Sequence, residues 1–120
     1  GNGADVGDLT VARNTLADMQ SPTHGYGAGG ASPSNSNVID KFPFSSDANA
    51  VDVGDLLSAG YDFSGASGDV HAYIVGNTGV PYATPYSADL DKFPFSTETV
   101  SNVNSDFNPT VGSRAGRYSV

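Results

Sequence analysis

The sequence predicts an all-β fold built from a repeated unit of about fifty residues. The hexapeptide DKFPFS at residues 40–45 returns unchanged at residues 91–96, which identifies the repeat. Helix-breaking residues are frequent, with 15 Gly and 7 Pro in 120 residues. No window places apolar residues at i, i+3, i+4 and i+7 over three turns. Short strands joined by tight turns therefore account for the chain best.

The repeat extends well beyond the hexapeptide. Residues 48–56 (ANAVDVGDL) resemble residues 3–9 (GADVGDL), and residues 70–73 (VHAY) resemble residues 23–26 (THGY). The hexapeptides are 51 residues apart (91 − 40), and the other two pairs are 47 apart (52 − 5 and 71 − 24). These offsets differ by a small loop insertion, so the chain holds about two and a half copies of one unit.

We divide the chain into a first unit at residues 4–48 and a second at residues 49–97. A partial third unit, residues 98–120, is expected to complete a neighbouring sheet. Residues 1–3 (GNG) are left out of this division because they resemble a fusion remnant or a truncation point. The chain is therefore expected to begin and end inside units.

Four segments of the first unit are predicted as strands: residues 4–10, 11–21, 23–30 and 38–45. The third contains four glycines, which allow another backbone to approach closely. The fourth is the best strand, with Phe42 and Phe44 on one face and Lys41 on the other. Pro43 cannot donate a ladder hydrogen bond, so its neighbour on that side must be missing or bulged.

The second unit repeats this order. Its predicted strands are residues 49–57, 60–66, 69–76 and 88–96. After them, residues 99–107 (TVSNVNSDF) occupy the place of the Asp-Val-Gly-Asp strand but keep only part of its pattern.

About four short strands per fifty-residue period are typical of a β-propeller blade. A closed ring needs at least about four blades, and this chain supplies about two. Identical chains are therefore expected to complete the ring, each supplying a terminal strand to the next, which also removes exposed strand edges. We favour a trimer with six blades, with a dimer as the alternative. The competing interpretation is a duplicated hairpin sandwich in a monomer.

One motif resembles a known repeat. Gly29-Gly30 precedes the segment 37–42 (NVIDKF), and kelch repeats place a Gly-Gly strand before a strand of this form. Together with DKFPFS, the pattern resembles kelch-like β-propeller repeats of uncharacterised marine bacteriophage proteins, of the cyanophage type, over nearly all of residues 4–107. The second unit departs from it, because Val75-Gly76-Asn77 replaces the double glycine. The resemblance implies a virion-associated or extracellular module for structure or host interaction, and it implies no catalysed reaction.

Charge and composition exclude several classes. Asp and Glu outnumber Lys and Arg by 13 to 5, for a net charge of −8, so nucleic-acid and anionic-membrane binding are not expected. The chain has no cysteine and no apolar run long enough to span a membrane, so neither a thiolate metal site nor membrane insertion is predicted.

No catalytic, metal or cofactor site is predicted. His24 and His71 stand at matching repeat positions on glycine-rich strands, so a structural role is favoured over a metal or catalytic one. The repeated Asp-Val-Gly-Asp motif, which includes Asp52 and Asp55, could bind calcium through oxygen ligands. Its spacing does not fit an EF-hand loop, so we interpret these carboxylates as caps of backbone amides in turns.

The aromatic residues have two predicted roles. Phe42, Phe44, Phe93 and Phe95 are expected to be structural, as are Asp52 and Asp55. Tyr73, Tyr82 and Tyr86 are candidate ligand-binding residues. The latter two lie in the segment VPYATPY, which has no counterpart in the first unit. Exposed tyrosines beside polar loops are typical of sugar- and protein-binding faces. Packing between blades explains them equally well.

The sequence therefore predicts a non-enzymatic structural or recognition module that assembles with identical chains. Its further partners would be a glycan or a virion protein. The first alternative is a carbohydrate-binding, lectin-like propeller with no connection to a virion. The second is a fragment or engineered piece of a longer propeller chain.

Overall fold

The computed structural model describes residues 2–76 and 90–103. These residues form eight strands in two four-stranded antiparallel sheets, and the described residues contain no helix. The strands are β1 Ala17–Gln20, β2 His24–Ala28, β3 Ser36–Pro43, β4 Val51–Gly60, β5 Ser64–Ser67, β6 His71–Val75, β7 Leu90–Pro94 and β8 Ser101–Asn102. The predicted all-β class is therefore confirmed. Within the same residues, no helix has the length and apolar character needed to cross a membrane.

Each sheet is a simple meander, and the second repeats the first. The first sheet has the order β1-β2-β3-β4 and the second the order β5-β6-β7-β8. Tyr26 lies opposite Lys41 in the first sheet, as Tyr73 lies opposite Lys92 in the second. The sequence repeat is thus also a repeat of strand order and register.

The backbone before each sheet repeats as well. Thr15 and Asp62 stand two residues ahead of β1 and β5, and they have left-handed φ values of 55° and 58°. After the second strand, Gly29 and Gly76 also match, with φ values of 68° and 73°. Left-handed backbone suits glycine because it lacks a Cβ. The second unit therefore keeps the turn that Gly29 makes in the first, although it has only one glycine there.

The sheets are offset from the sequence units by one strand. Strands β1 to β3 lie in the unit 4–48, whereas β4 lies in the unit 49–97. In the same way, β5 to β7 lie in the unit 49–97, whereas β8 lies in the partial unit 98–120. Each sheet is therefore completed by a strand of the following unit.

The strand predicted at residues 4–10 is absent, which corrects that expectation. Its counterpart in the second unit begins β4, where Asp52 pairs with Asp40 of β3. The described residues offer no such edge to residues 4–10, because β4 already occupies the outer side of β3.

The other predicted strands are present with shifted ends. The predicted irregular strands shorten to β1 and β5, and the weakened 99–107 pattern is described only as the two-residue β8. Pro43 ends β3 opposite His24, beyond Lys41, which is the last residue of β3 that pairs with β4. Among the described residues, no β4 residue pairs with Pro43 on that edge, as its missing N–H requires.

The two sheets pack face to face with β1 against β5 and β6. Gly65 allows this close approach, because a Cβ there would overlap the backbone carbonyl of Asp18. The shared core consists of buried apolar side chains from both sheets: Ala17, Met19, Tyr26, Ala28, Ile39, Leu56, Ala72, Ile74, Phe93 and Val100. A smaller cluster on the other face of the second sheet contains Val75 and Leu90, with Tyr73 and Val103 packed against them.

Candidate functional site

An aromatic cluster joins the two sheets. Tyr26 of β2 is buried between Phe93 and Phe95 of the second sheet. Its ring centroid is 5.3 Å from that of Phe93 in an edge-to-face arrangement. It is also 5.3 Å from that of Phe95 in a stacked one. Such pairs contribute about 0.5–1.5 kcal/mol each beyond the burial of their area. We call this contact the junction.

A polar group covers one side of the junction. The Tyr26 hydroxyl donates a hydrogen bond to Glu98 Oε1 at 3.2 Å. Lys41 Nζ donates to the same oxygen in an ion pair, and it lies 5.9 Å from the Tyr26 ring centroid. One carboxylate from the connection between β7 and β8 thus binds two side chains of the first sheet.

The contacts of the junction favour the protonated forms of Tyr26 and Lys41. Burial raises the pKa of the Tyr26 phenol above its ordinary value of 10.0. The hydrogen bond to Glu98 raises the pKa of the Lys41 ammonium above 10.5. At neutral pH the phenol is therefore neutral and the lysine charged, so both can donate hydrogen bonds.

A groove of about 490 Å³ opens beside the junction. We call it the junction groove. Its lining combines an aromatic ring with polar groups: Ser21, Pro22, Thr23, His24, Tyr26, Lys41, Asp69, Val70, Phe95 and Ser96. The Nδ1 atom of His24 lies 2.8 Å from the Thr23 hydroxyl, so the ring is oriented by its neighbour in the chain. The groove can bind a polar ligand beside an aromatic face.

A second groove, of about 400 Å³, lies on the opposite face of the first sheet. We call it the outer groove. Phe42 and Phe44 form its aromatic floor, with ring centroids 6.1 Å apart, and they are 37% and 53% exposed. Phe42 covers Gly25, where a Cβ would overlap its ring. The other lining residues are Val6, Gly7, Asp8, Leu9, Pro43, Ser46, Asp47, Ala48 and Ala50.

The N-terminal segment forms one wall of the outer groove. The amide of Ala50 donates to the Asp8 carbonyl at 2.8 Å, and the amide of Asp8 donates to Asn49 Oδ1 at 3.0 Å. A Cβ at Gly7 would overlap the Ala48 carbonyl oxygen. At the matching position of the second unit, a Cβ at Gly54 would lie 3.0 Å from the Glu98 carbonyl oxygen. Residues 5–9 therefore contact the end of the first sheet's repeat in the same way that Gly54 of β4 contacts Glu98 in the second.

A buried ion pair attaches the segment before β1 to the same face. Arg13 Nη1 donates to Asp40 Oδ2 at 2.9 Å, and both side chains are buried. The Asp40 carboxylate also accepts from the hydroxyl of Thr10 at 2.6 Å and from its amide at 3.1 Å. The guanidinium further donates to the Gly29 carbonyl at 2.7 Å. Because a buried charge is tolerated only when its partners are in place, this cluster fixes the entry into β1.

The identical phenylalanines of the two hexapeptides have different surroundings. Phe93 is 0% exposed and Phe95 is half-buried, whereas Phe42 and Phe44 are exposed in the outer groove. The difference comes from Tyr26, which covers the second pair and has no counterpart over the first among the described residues.

The predicted carboxylates and histidines are dispersed. The Asp52 carboxylate accepts the Gly54 amide at 3.1 Å, as Asp5 accepts the Gly7 amide at 3.2 Å. Asp55 is exposed on β4, and His71 is half-buried at the start of β6. Among the described residues, no three Asp, Glu or His side chains are placed to share a metal ion.

Of the three candidate ligand-binding tyrosines, only Tyr73 is described. It is half-buried on β6 and packs against the cluster of Val75 and Leu90. Tyr82 and Tyr86 lie outside the described residues.

Sequence reasoning missed the residues that build the junction and the ion pair. Tyr26 stood out only as part of the repeated THGY segment, and Glu98 was not singled out. One signal was available, because Tyr26 and Tyr73 occupy matching positions and each repeat has one lysine in its hexapeptide. No comparable signal marks Asp40 as buried among 13 acidic residues.

A scan of the chain against protein-family models and a search of curated protein sequences each found no match. The resemblance to kelch-like phage repeats therefore stays a prediction.

Proposed function

We propose that this chain is a non-enzymatic, self-assembling module of the β-propeller type, in which identical copies join head to tail. One observation carries the proposal. The aromatic pair that forms the junction in the second sheet, Phe93 and Phe95, recurs as Phe42 and Phe44 on the outer face of the first sheet, where it is exposed.

Sheets of this kind bury their faces by stacking on neighbours. The first sheet already uses one face to cover the second. Its other face presents exposed aromatic rings, which a further sheet would cover. A head-to-tail contact uses two different surfaces of the chain, so repeated addition either closes into a ring or grows into a filament.

Ring closure would give the N-terminal segment a sheet edge to cover. Residues 4–9 have the sequence of the strand that completes a sheet, and they precede the first sheet as β4 precedes the second. Because β8 already completes the last sheet of each copy, in a ring residues 4–9 would lie beside β8 of the neighbouring copy and cover its outer edge. Three chains would supply six sheets and two chains four, both within the usual range of about four to eight.

The role of the ring is recognition or virion structure. The kelch-like resemblance supports a virion-associated or extracellular setting, and the negative charge of −8 disfavours nucleic acid as a partner. Repetition around a ring would place several copies of each groove in one particle, so weak individual contacts would add up through avidity.

The test is the solution mass of the chain and of two variants. Phe44→Asp places a charge in the outer groove, so it should shift the mass from an oligomer to the 12.2 kDa monomer. Leu57→Asp is the matched control, because Leu57 is 56% exposed and lines neither groove. An unaltered chain that remains a folded monomer, or a Phe44→Asp chain that keeps the oligomeric mass, would contradict the proposal.

A second candidate function is carbohydrate binding. The junction groove favours it, because Phe95 lies beside the polar side chains of His24 and Lys41. Aromatic faces flanked by hydrogen-bonding groups are suited to sugars. Binding of the unaltered chain to a glycan array, lost in His24→Ala, would place a sugar site in this groove. Loss in Tyr82→Ala or Tyr86→Ala would place it on the predicted tyrosine loop instead.

A further inference from the structure

We propose that the outer groove is filled by Tyr73 of a second copy of this chain, with Lys92 of that copy paired to Asp47. The inference deepens the proposed function, since it rests on head-to-tail assembly and names the residues that form the contact.

The inserting side of the contact is present on the second sheet. Tyr73 occupies the position of Tyr26, because each is the third residue of its strand and lies opposite a lysine of the next strand. That lysine is Lys41 in the first sheet and Lys92 in the second. The chain contains only these two lysines, and both stand in the same relation to a tyrosine.

The receiving side is present on the first sheet. At the junction, Tyr26 lies between Phe93 and Phe95, and their counterparts Phe42 and Phe44 form the floor of the outer groove. These two rings are in edge-to-face contact at 6.1 Å, as Phe93 and Phe95 are at 6.0 Å. The groove thus has the same aromatic floor as the junction, and no tyrosine among the described residues covers it.

The walls of the two sites also correspond. At the junction, Gly54 of β4 lies against the Glu98 carbonyl in the connection between β7 and β8. At the outer groove, residues 5–9 pass over the first sheet with Gly7 against the Ala48 carbonyl. Both walls contain the sequence Asp-Val-Gly-Asp-Leu. The site for the tyrosine ring is therefore formed on its sides as well as its floor.

The charges complete the correspondence. At the junction, Glu98 accepts hydrogen bonds from Tyr26 and Lys41. Glu98 is 51 residues after Asp47, the same offset as between the hexapeptides (98 − 47), and Asp47 is exposed and lines the outer groove. A second copy docked through Tyr73 brings Lys92 towards this carboxylate. The contact therefore joins opposite charges on a chain with a strong acidic excess, where an unrelated acidic surface would be repelled.

We assign a second copy as the occupant because the tyrosine, the aromatic floor, the wall and the charge pair each have a counterpart in the junction inside the chain. The apolar cluster around Tyr73, formed by Val75 and Leu90, continues the same face of the second sheet. A contact between two different surfaces also predicts that no copy places its groove against the groove of another.

Cysteine crosslinking tests this geometry directly, since the chain contains no cysteine. Chains carrying Phe44→Cys and chains carrying Tyr73→Cys are coexpressed and oxidised, and covalent dimers are measured by non-reducing electrophoresis. We expect a dimer from the mixture and none from either variant alone. Leu57→Cys replaces Phe44→Cys in the matched control and should give no dimer with Tyr73→Cys.

Two further pairs keep the test decisive. Asp47→Cys with Lys92→Cys samples the same contact at positions outside the aromatic floor, in case a ring deletion prevents folding. Tyr26→Cys with Phe95→Cys in one chain samples the equivalent contact inside the molecule, and it shows that cysteines in this geometry can form a disulfide.

The outcomes separate the inference from the proposed function. If the unaltered chain is an oligomer and the internal pair crosslinks while both intermolecular pairs do not, the assembly stands and Tyr73 is not the occupant. The same crosslinking pattern is expected if the outer groove is filled by other residues of the same chain or by a different protein. Dimers from Phe44→Cys alone would show groove-to-groove contact and overturn the inference. A monomer at every concentration would overturn both.

Discussion

Two identical peptides with different burial allow a matched test of the packing. Phe93→Ala and Phe42→Ala remove the same side chain from the same local sequence, DKFPFS. Phe93 is fully buried against Tyr26, whereas Phe42 is 37% exposed over Gly25. The two variants therefore differ in their tertiary neighbours rather than in strand propensity.

The magnitudes follow from the burial. Truncation of a buried phenylalanine to alanine usually lowers the free energy of unfolding by about 3–5 kcal/mol, because it combines lost transfer energy with a cavity. Burying a whole phenylalanine side chain contributes about 1.5–3 kcal/mol by transfer alone, so the partly exposed Phe42 should contribute about 1–2 kcal/mol with little cavity. We expect Phe93→Ala to be the more destabilising by at least about 1 kcal/mol.

Urea unfolding at a low and a high protein concentration measures both effects. At low concentration the difference between the variants should be largest. At high concentration the loss in Phe42→Ala should grow, because assembly covers Phe42 in the unaltered chain and stabilises it by mass action. Equal losses for the two variants at low concentration would refute the packing described for the junction.

Three further predictions concern the buried ion pair, the junction and the contact between the sheets. Asp40→Asn leaves the buried Arg13 guanidinium without its ion-pair partner, so it should lower the free energy of unfolding by about 3–5 kcal/mol in urea titration. Stability should fall as the pH rises above about 10, because the raised pKa values of Tyr26 and Lys41 show that folding favours their protonated forms. This contribution to the free energy of unfolding is complete below the ordinary pKa values of 10.0 and 10.5. It is lost as the pH passes the pKa values of the folded state. Gly65→Ala should lower the melting temperature, since its Cβ would overlap a backbone carbonyl that cannot rotate away, at a cost of about 1–3 kcal/mol.

Each of these has a control in the same chain. Asp47→Asn changes an exposed carboxylate and should alter stability by less than about 0.5 kcal/mol at low protein concentration. Lys41→Met should reduce the alkaline slope, and an unchanged slope would show that the lysine does not contribute to it. Gly3→Ala should be neutral, because no atom lies within 4 Å of its Cβ position. A loss in Gly3→Ala equal to that in Gly65→Ala would contradict the close approach of the sheets.

The repeat and the turn residues were sufficient to predict the fold class and most strands. The glycine-rich strand and the two phenylalanine strands were placed correctly, because their alternation and flanking turns are local properties of the chain. The strand at residues 4–10 was not, because a strand needs a partner edge. The sequence contains this segment's pattern, but in the described residues β4 already occupies the edge of β3 with which it would pair.

Burial could not be predicted at the junction or at the ion pair. Phe42 and Phe93 have identical neighbours in sequence, and packing of the first sheet, with Tyr26, buries Phe93 while Phe42 is exposed. Asp40 likewise belongs to the repeated hexapeptide, and its burial depends on Arg13 from the segment before β1. The burial of Phe93 and of Asp40 depends on contacts between segments far apart in the chain, which the sequence of one repeat does not predict.

The most direct measurement of the central claim is sedimentation velocity of the unaltered chain over a wide concentration range. A head-to-tail ring predicts one discrete species at a whole multiple of 12.2 kDa, with 36.6 kDa (three times 12.2 kDa) for the favoured trimer, that stops growing as concentration rises. A folded 12.2 kDa species at every concentration would contradict head-to-tail assembly and leave the outer groove without the occupant assigned to it.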